Sequence, residues 1–117
     1  MPYVKAETNA RLSPQQKDSL LRSFTEHIPL LPGRLPERTM AIISDGQSMY
    51  FNGSDDPCMK ITVEVFGTSD SASKGNYAAA VTKAAEEFAS IPPERVYLTY
   101  FERDHWAPGG VYHSAGQ

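Results

Sequence analysis

The residue with the most chemistry to offer in this sequence is the second. Met1-Pro2-Tyr3-Val4-Lys5-Ala6-Glu7-Thr8 reads as a short strand, and an initiator methionine is removed when the next side chain is small, as proline's is. The mature chain is therefore expected to begin at Pro2, with a free secondary amine. An α-amino group titrates at roughly 7.7 to 8.0 in water, and burial among apolar groups lowers that value by disfavouring the ammonium. Such an amine is a base at neutral pH. The alternative is structural: a proline at the edge of a first strand leaves no N–H unpaired. Other reactive types are sparse. Cys58 is the sole cysteine, has no CxxC partner, and reads as a small core residue. Asp104, His105 and His113 are scattered through a Gly-rich tail and read as solvent-exposed, because a metal site needs convergent ligands and groups that orient them. No metal and no cofactor are expected.

Bulk properties narrow the classes of partner. A chain of 117 residues, 40% of them hydrophobic, supports one domain with a real core and is too short for two. Its 11 basic and 14 acidic residues are well mixed, leaving no basic stripe for a phosphate backbone, so no nucleic-acid partner is expected. No apolar run approaches a membrane span, and no basic segment followed by an apolar one opens the chain, so the expectation is a cytoplasmic protein with no membrane partner. Asn52-Gly53-Ser54 fits a glycosylation pattern but reads better as a turn.

The elements that must position Pro2 come in two similar halves. Ser13-Pro14-Gln15-Gln16 opens a helix with a serine cap, a proline in the first turn and a glutamine reaching back, and Leu20, Leu21, Phe24 and Ile28 follow on one face. Pro29 to Pro36 form a loop carrying Gly33 and Arg34; taken alone, Arg34 is a solvated loop charge. Thr39–Ser44 is a strand apolar enough to be central in a parallel sheet. Met49–Phe51 suggests a short strand. Met59–Phe66 alternates as a strand with two different faces does, 67–74 reads as a loop, Asn76–Ser90 as a helix, and Val96–Phe101 as a strand. A shift of 57 positions aligns Val4 with Ile61, Ala6 with Val63, and Pro36-Glu37-Arg38 with Pro93-Glu94-Arg95. The chain thus reads as a single domain over residues 1–117 with an internal repeat of about 2–44 and 59–101 and a divergent tail, 102–117. Two β-α-β units give an α+β, two-layer fold: a four-stranded sheet with both helices on one face. The bare apolar face left over calls for another copy of the same chain, so a homo-oligomer is expected.

With these residues in hand the chain resembles the tautomerase superfamily, in the branch of macrophage migration inhibitory factor and D-dopachrome tautomerase. The resemblance rests on Met1-Pro2 before a strand, on Asn52-Gly53-Ser54-Asp55-Asp56-Pro57-Cys58, and on Pro93-Glu94-Arg95-Val96-Tyr97. It implies a homotrimer whose sheets line a barrel-like assembly, with active sites between subunits. The implied activity is a cofactor-independent keto–enol tautomerase (an isomerase) acting on a small carboxylate such as the aromatic 2-keto acid phenylpyruvate, with Pro2 as general base. Arg34 stands where the family usually has a lysine and is implied to grip the substrate carboxylate. Phe66 stands where isoleucine is frequent, Tyr97 matches an aromatic residue reaching into the neighbour's pocket, and Thr99 replaces an asparagine. Each also has a plain reading: Phe66 and Tyr97 as packing, Thr99 as a shorter hydrogen-bonding group. Tyr3 is a candidate pocket wall. Trp106 and Tyr112 in the divergent tail either wall the pocket or are ordinary surface aromatics.

Two other classes stay open. One is a cytokine-like binding or signalling trimer; the absence of the family's CxxC, whose second position here is Ile61, speaks against a thiol-redox role. The other is a proline-dependent hydratase, dehalogenase or decarboxylase of small acids, which would need charged pocket groups beyond Arg34.

Overall fold

Alternation and capping account for most of the architecture. The structure, a computed structural model, describes residues 1–115. Strand β1 (Tyr3–Thr8) is followed by helix α1 (Pro14–Glu26), strand β2 (Met40–Ser44), strand β3 (Met59–Phe66), helix α2 (Ser71–Ala89) and strand β4 (Val96–Arg103). The sheet order is β2-β1-β3-β4, with β1 parallel to β2, antiparallel to β3, and β3 parallel to β4. Along β1 and β3 the residues Val4, Ala6, Ile61, Val63 and Val65 point into the core and are fully buried. They meet Leu20, Phe24, Tyr77, Val81 and Ala85 from the helices.

Helix α1 starts as its sequence predicts. Gln16 N donates to Ser13 Oγ (3.1 Å) and Ser13 N donates to Gln16 Oε1 (2.8 Å), a reciprocal cap that satisfies two donors the helix itself cannot. Helix α2 begins five residues before the predicted Asn76, at Ser71. Asp70 caps it, accepting from Ser73 N at 2.8 Å, so the small residues 71–75 are its first turns despite their loop-like composition. Tyr77 locks the helices together by donating from its buried hydroxyl to Phe24 O at 2.7 Å. Burial pushes its phenol well above the ordinary tyrosine value.

Three expectations are corrected. Strand β2 is an edge strand rather than a central one, and its Met40 and Ile42 are 63% and 40% exposed. Their apolarity is not used within the single chain. Met49–Phe51 forms no strand, only a bridge between Phe51 and Ser54. The uncovered sheet face is not uniformly apolar: cross-strand rows Glu7–Lys60–Tyr97 and Lys5–Thr62–Thr99 put a polar band through its middle, and apolar side chains gather toward the edges.

The 52–58 segment is tied to the end of β1. Asn9 Oδ1 accepts from Cys58 N (2.9 Å), and the buried Thr8 hydroxyl donates to Cys58 O (2.7 Å). Arg95, the last residue of the 3-10 turn before β4, holds the same segment by donating to the carbonyls of Ser54 and Asp56, and it also donates to Phe51 O just before it. The tail, which has no periodic signal, folds as a small hairpin of β5 (His105–Trp106) and β6 (His113–Ser114).

Tyr77→Phe removes the buried bond between the two helices. It should lower stability by roughly 1–2 kcal/mol, read as a lower urea midpoint with an unchanged slope; an unmoved midpoint would show that the bond contributes nothing net.

Candidate active site

Pro2 is buried at the entrance to β1, and its carbonyl accepts from Met40 N at 3.0 Å. It thus joins the β1–β2 ladder through the one backbone group it can offer, since proline has no N–H. Beside it lies a cavity of about 390 Å³. Met1, Pro2 and Tyr3 line it with Met40 at the start of β2, Glu37, Arg38 and Thr39 come from the turn before β2, and Trp106, Ala107 and Pro108 come from the tail. A larger groove of about 430 Å³ runs between the helices, but Arg22, Glu26, Lys83 and Glu87 line it with mixed charge, and Pro2 takes no part in it. The cavity at Pro2 is the candidate site, because it joins a chain-terminal amine to apolar walls.

The electrostatics at that terminus favour a neutral amine. The Met1 ammonium is pushed below its ordinary value, first by burial and then by the charges of Arg34 and Arg38. Both arginines come from the segment between α1 and β2, but they are used differently. Arg34 donates to Pro32 O (2.9 Å), Phe66 O (2.8 Å) and Thr68 O (3.2 Å). Gly67 has φ +78°, a conformation glycine adopts without a Cβ penalty, and its flanking carbonyls are the ones Arg34 binds. Arg34 is not among the residues lining the cavity. Arg38 is one of them, and its guanidinium has no hydrogen bond or ion pair among the described residues.

Of the other residues singled out from sequence, the structure brings Tyr3 and Trp106 to the cavity. Phe66 lies against Trp106 with ring centroids 5.7 Å apart and near-parallel planes, and His113 meets Phe66 edge-on. Tyr112 is elsewhere, stacked on His105 and donating to or accepting from its Nδ1 at 2.7 Å. Tyr97 and Thr99 are on the open sheet face and do not line the cavity of their own chain. Tyr97 is 55% exposed and stacks on Phe51. Thr99 Oγ1 accepts from Lys60 Nζ at 2.5 Å. Sequence reasoning placed Arg38 only as a member of a repeated triplet; Glu37 and Pro108 carried no local signal for a site.

The macrophage migration inhibitory factor (MIF) family model matches residues 1–111. The chain belongs to the MIF family. Its relatives include a macrophage migration inhibitory factor homolog of Wuchereria bancrofti, 31% identical over 102 residues that cover 84% of each chain. A D-dopachrome decarboxylase of Gallus gallus is 26% identical over 113 residues, covering 93% of this chain and 92% of that one. The solved macrophage migration inhibitory factor of Toxoplasma gondii superposes with a TM-score of 0.87 at 28% identity, covering 94% and 98%. The MIF fold here is complete in both β-α-β units, and no helix among the described residues is long and apolar enough to cross a membrane.

Trp106 is the single tryptophan, which makes its fluorescence a direct report on the cavity wall. Phe66→Ala removes an aromatic pair worth about 0.5–1.5 kcal/mol. Emission should move to longer wavelength with the far-ultraviolet circular dichroism unchanged; emission that stays put would mean that Phe66 does not hold the indole in place.

Proposed function

We propose that this MIF-family chain is a cofactor-independent keto–enol tautomerase that acts on an aromatic 2-keto acid such as phenylpyruvate, using Pro2 as general base after removal of Met1. The observation that carries this reading is the burial of Pro2 beside an apolar cavity where the chain terminus is desolvated and faces two arginine charges. Methionine removal belongs to the cytosol, so a cytoplasmic setting is part of the proposal.

The chemistry needs a base matched to neutral pH. The neutral Pro2 nitrogen takes a proton from the carbon next to the keto group, the C–H electron pair becomes the new C=C bond, the C=O π pair moves onto the oxygen as an enolate, and the prolinium then gives that proton to the oxygen, leaving the enol and a neutral amine. In reverse the prolinium returns its proton to carbon. Atoms and charge balance without a cofactor. The cationic side set by Arg34 stabilises the oxygen and the carboxylate as negative charge builds up, and it does so because guanidinium groups bonded to neutral carbonyls keep their full charge.

Assembly as a homotrimer with active sites between subunits is the second part of the proposal. Tyr97 and Thr99 are on edge strand β4, away from their own chain's Pro2 cavity, so they can orient a substrate only from a neighbouring copy. Exposed Met40 and Ile42 on the opposite edge supply apolar surface for such a contact.

Light scattering on the eluting peak should give three times the 12.9 kDa chain mass, and a monomer at micromolar concentration would remove the shared site. On protein whose intact mass confirms loss of Met1, Pro2→Ala should lower kcat at least 100-fold, the scale on which general base catalysis operates, with the oligomer retained. Undiminished turnover would eliminate the amine mechanism. The wild-type rate should rise with pH as the ammonium loses its proton, with an inflection below the roughly 7.7–8.0 of a free α-amine. Arg34→Gln removes a nearby positive charge, which makes the ammonium easier to hold, so the inflection should move to higher pH.

A further inference from the structure

We infer that Arg38 is the residue that binds the substrate carboxylate directly, and that Arg34 is a positioning residue that holds the Phe66–Thr68 backbone and, through it, the aromatic wall. The inference rests on the tautomerase reading above and changes which guanidinium touches the ligand.

The internal repeat provides a control within the chain. Arg38 and Arg95 are the last residues of the two Pro-Glu-Arg triplets, and both triplets fold as 3-10 turns leading into a parallel strand. In the second half the guanidinium has structural work: Arg95 donates to the carbonyls of Phe51, Ser54, Asp56 and Pro57. In the first half Arg38 has no such carbonyls to serve and forms no hydrogen bond or ion pair among the described residues. The turn beneath it is nonetheless fixed. Arg38 N donates to Leu35 O, Thr39 N donates to Pro36 O, and the Thr39 hydroxyl donates to Leu35 O at 2.8 Å.

A firmly held backbone thus presents an uncommitted guanidinium to the cavity that contains Pro2 and Trp106. Arg34 differs in the same respect, since its donors already meet three carbonyls and it does not line the cavity. A free guanidinium can offer a carboxylate two parallel N–H donors, which one already tied to carbonyls cannot do without giving them up. Arg38 also lies close enough to the terminus to add, after burial and Arg34, to the lowering of the Met1 ammonium's proton affinity. A ligand with its carboxylate on Arg38 and a flat apolar body along Trp106 therefore passes over Pro2. The substrate class this favours is a small acid with an aromatic or otherwise flat body.

The test separates binding from turnover. 3-Phenylpropanoate is a non-reacting carboxylate probe, and its neutral counterpart is 3-phenylpropanamide; binding of each to the assembled, Met1-processed protein is measured by calorimetry and by Trp106 fluorescence. Arg38→Gln should weaken 3-phenylpropanoate by about 10–100-fold, the scale of a lost charge-assisted bidentate contact. It should leave the amide within about two-fold, and Arg38→Lys should recover part of the acid's affinity. Arg34→Gln should weaken the acid and the amide alike and shift Trp106 emission, as expected for a residue acting through the wall.

An Arg38→Gln protein that binds the acid as wild type does, or that loses the acid and the amide equally, overturns the assignment. So does an Arg34→Gln protein that loses the acid alone. Phenylpyruvate turnover is then measured on the same proteins. Absence of turnover in wild type, with acid affinity still dependent on Arg38, would reject the tautomerase reading and leave the carboxylate site standing.

Discussion

Everything at the site depends on β1 being held on both sides. Its backbone pairs with β2 from Tyr3 to Glu7 and with β3 from Tyr3 to Thr8, and its Val4 and Ala6 are fully buried. Chain termini ordinarily fray. Here the first residues cannot, because releasing them would break two ladders and uncover the core. Pro2 is therefore placed by the sheet, and a terminal amine acquires the positional accuracy that side chains on strands usually have. The tail and the turn before β2 only have to close around a point that is already fixed.

The arginines show how the charge around that point is kept. A guanidinium paired with a carboxylate is nearly neutral at a distance, whereas one bonded to backbone carbonyls is anchored and still fully charged. Arg34 is of the second kind, and its field is felt by the terminal amine and by Glu102, whose carboxyl lies below the usual range chiefly through bonds from Lys74 and Ser69 N. The Lys74–Glu102 pair (2.7 Å) also fixes β4 to the start of α2, close to the Phe66–Thr68 carbonyls that Arg34 binds. Structure and electrostatics are thus served by the same bonds: the loop is held, and Arg34 is anchored by carbonyls rather than by a carboxylate.

What could be read from sequence follows from how local each determinant is. The start of α1 was legible because Ser13 and Gln16 satisfy each other within one turn, and β3 because its alternation from Met59 to Phe66 is strict. The start of α2 was not, since Asp70 caps a run of small residues whose composition suggests a loop. Strand β2 misled for a different reason: its apolar residues look doubly buried, yet in the single chain one face of it is open. The resemblance pointed to Pro2, Arg34, Phe66, Tyr97 and Thr99, but no local pattern says that Arg34 is bonded to carbonyls while Arg38 is not. Arg34 finds its partners far along the chain, at the carbonyls of Phe66 and Thr68, and next to Arg38 nothing plays the part that the 52–58 segment plays for Arg95.

The open sheet face then bears on how copies meet. A uniformly apolar face would favour stacking two sheets against each other, which buries the most area and closes the assembly as a pair. The polar rows Glu7–Lys60 and Lys5–Thr62–Thr99 oppose that, because burying Lys5, Glu7 and Lys60 without partners costs more than the surrounding apolar area returns. Lys60 is already partly desolvated, which lowers its pKa, and it is bonded to two hydroxyls rather than to a carboxylate. The apolar side chains lie instead toward the two edges, with Met40 and Ile42 on β2 and Tyr97 and Phe101 on β4. Copies that join edge to edge bury those four and leave the charged centre wet. Edges that differ favour a head-to-tail contact, and such a contact closes only as a ring. In the proposed trimer β4 of one chain, with Tyr97 and Thr99, would lie next to β2 of the next, whose Met40 is a wall of the Pro2 cavity.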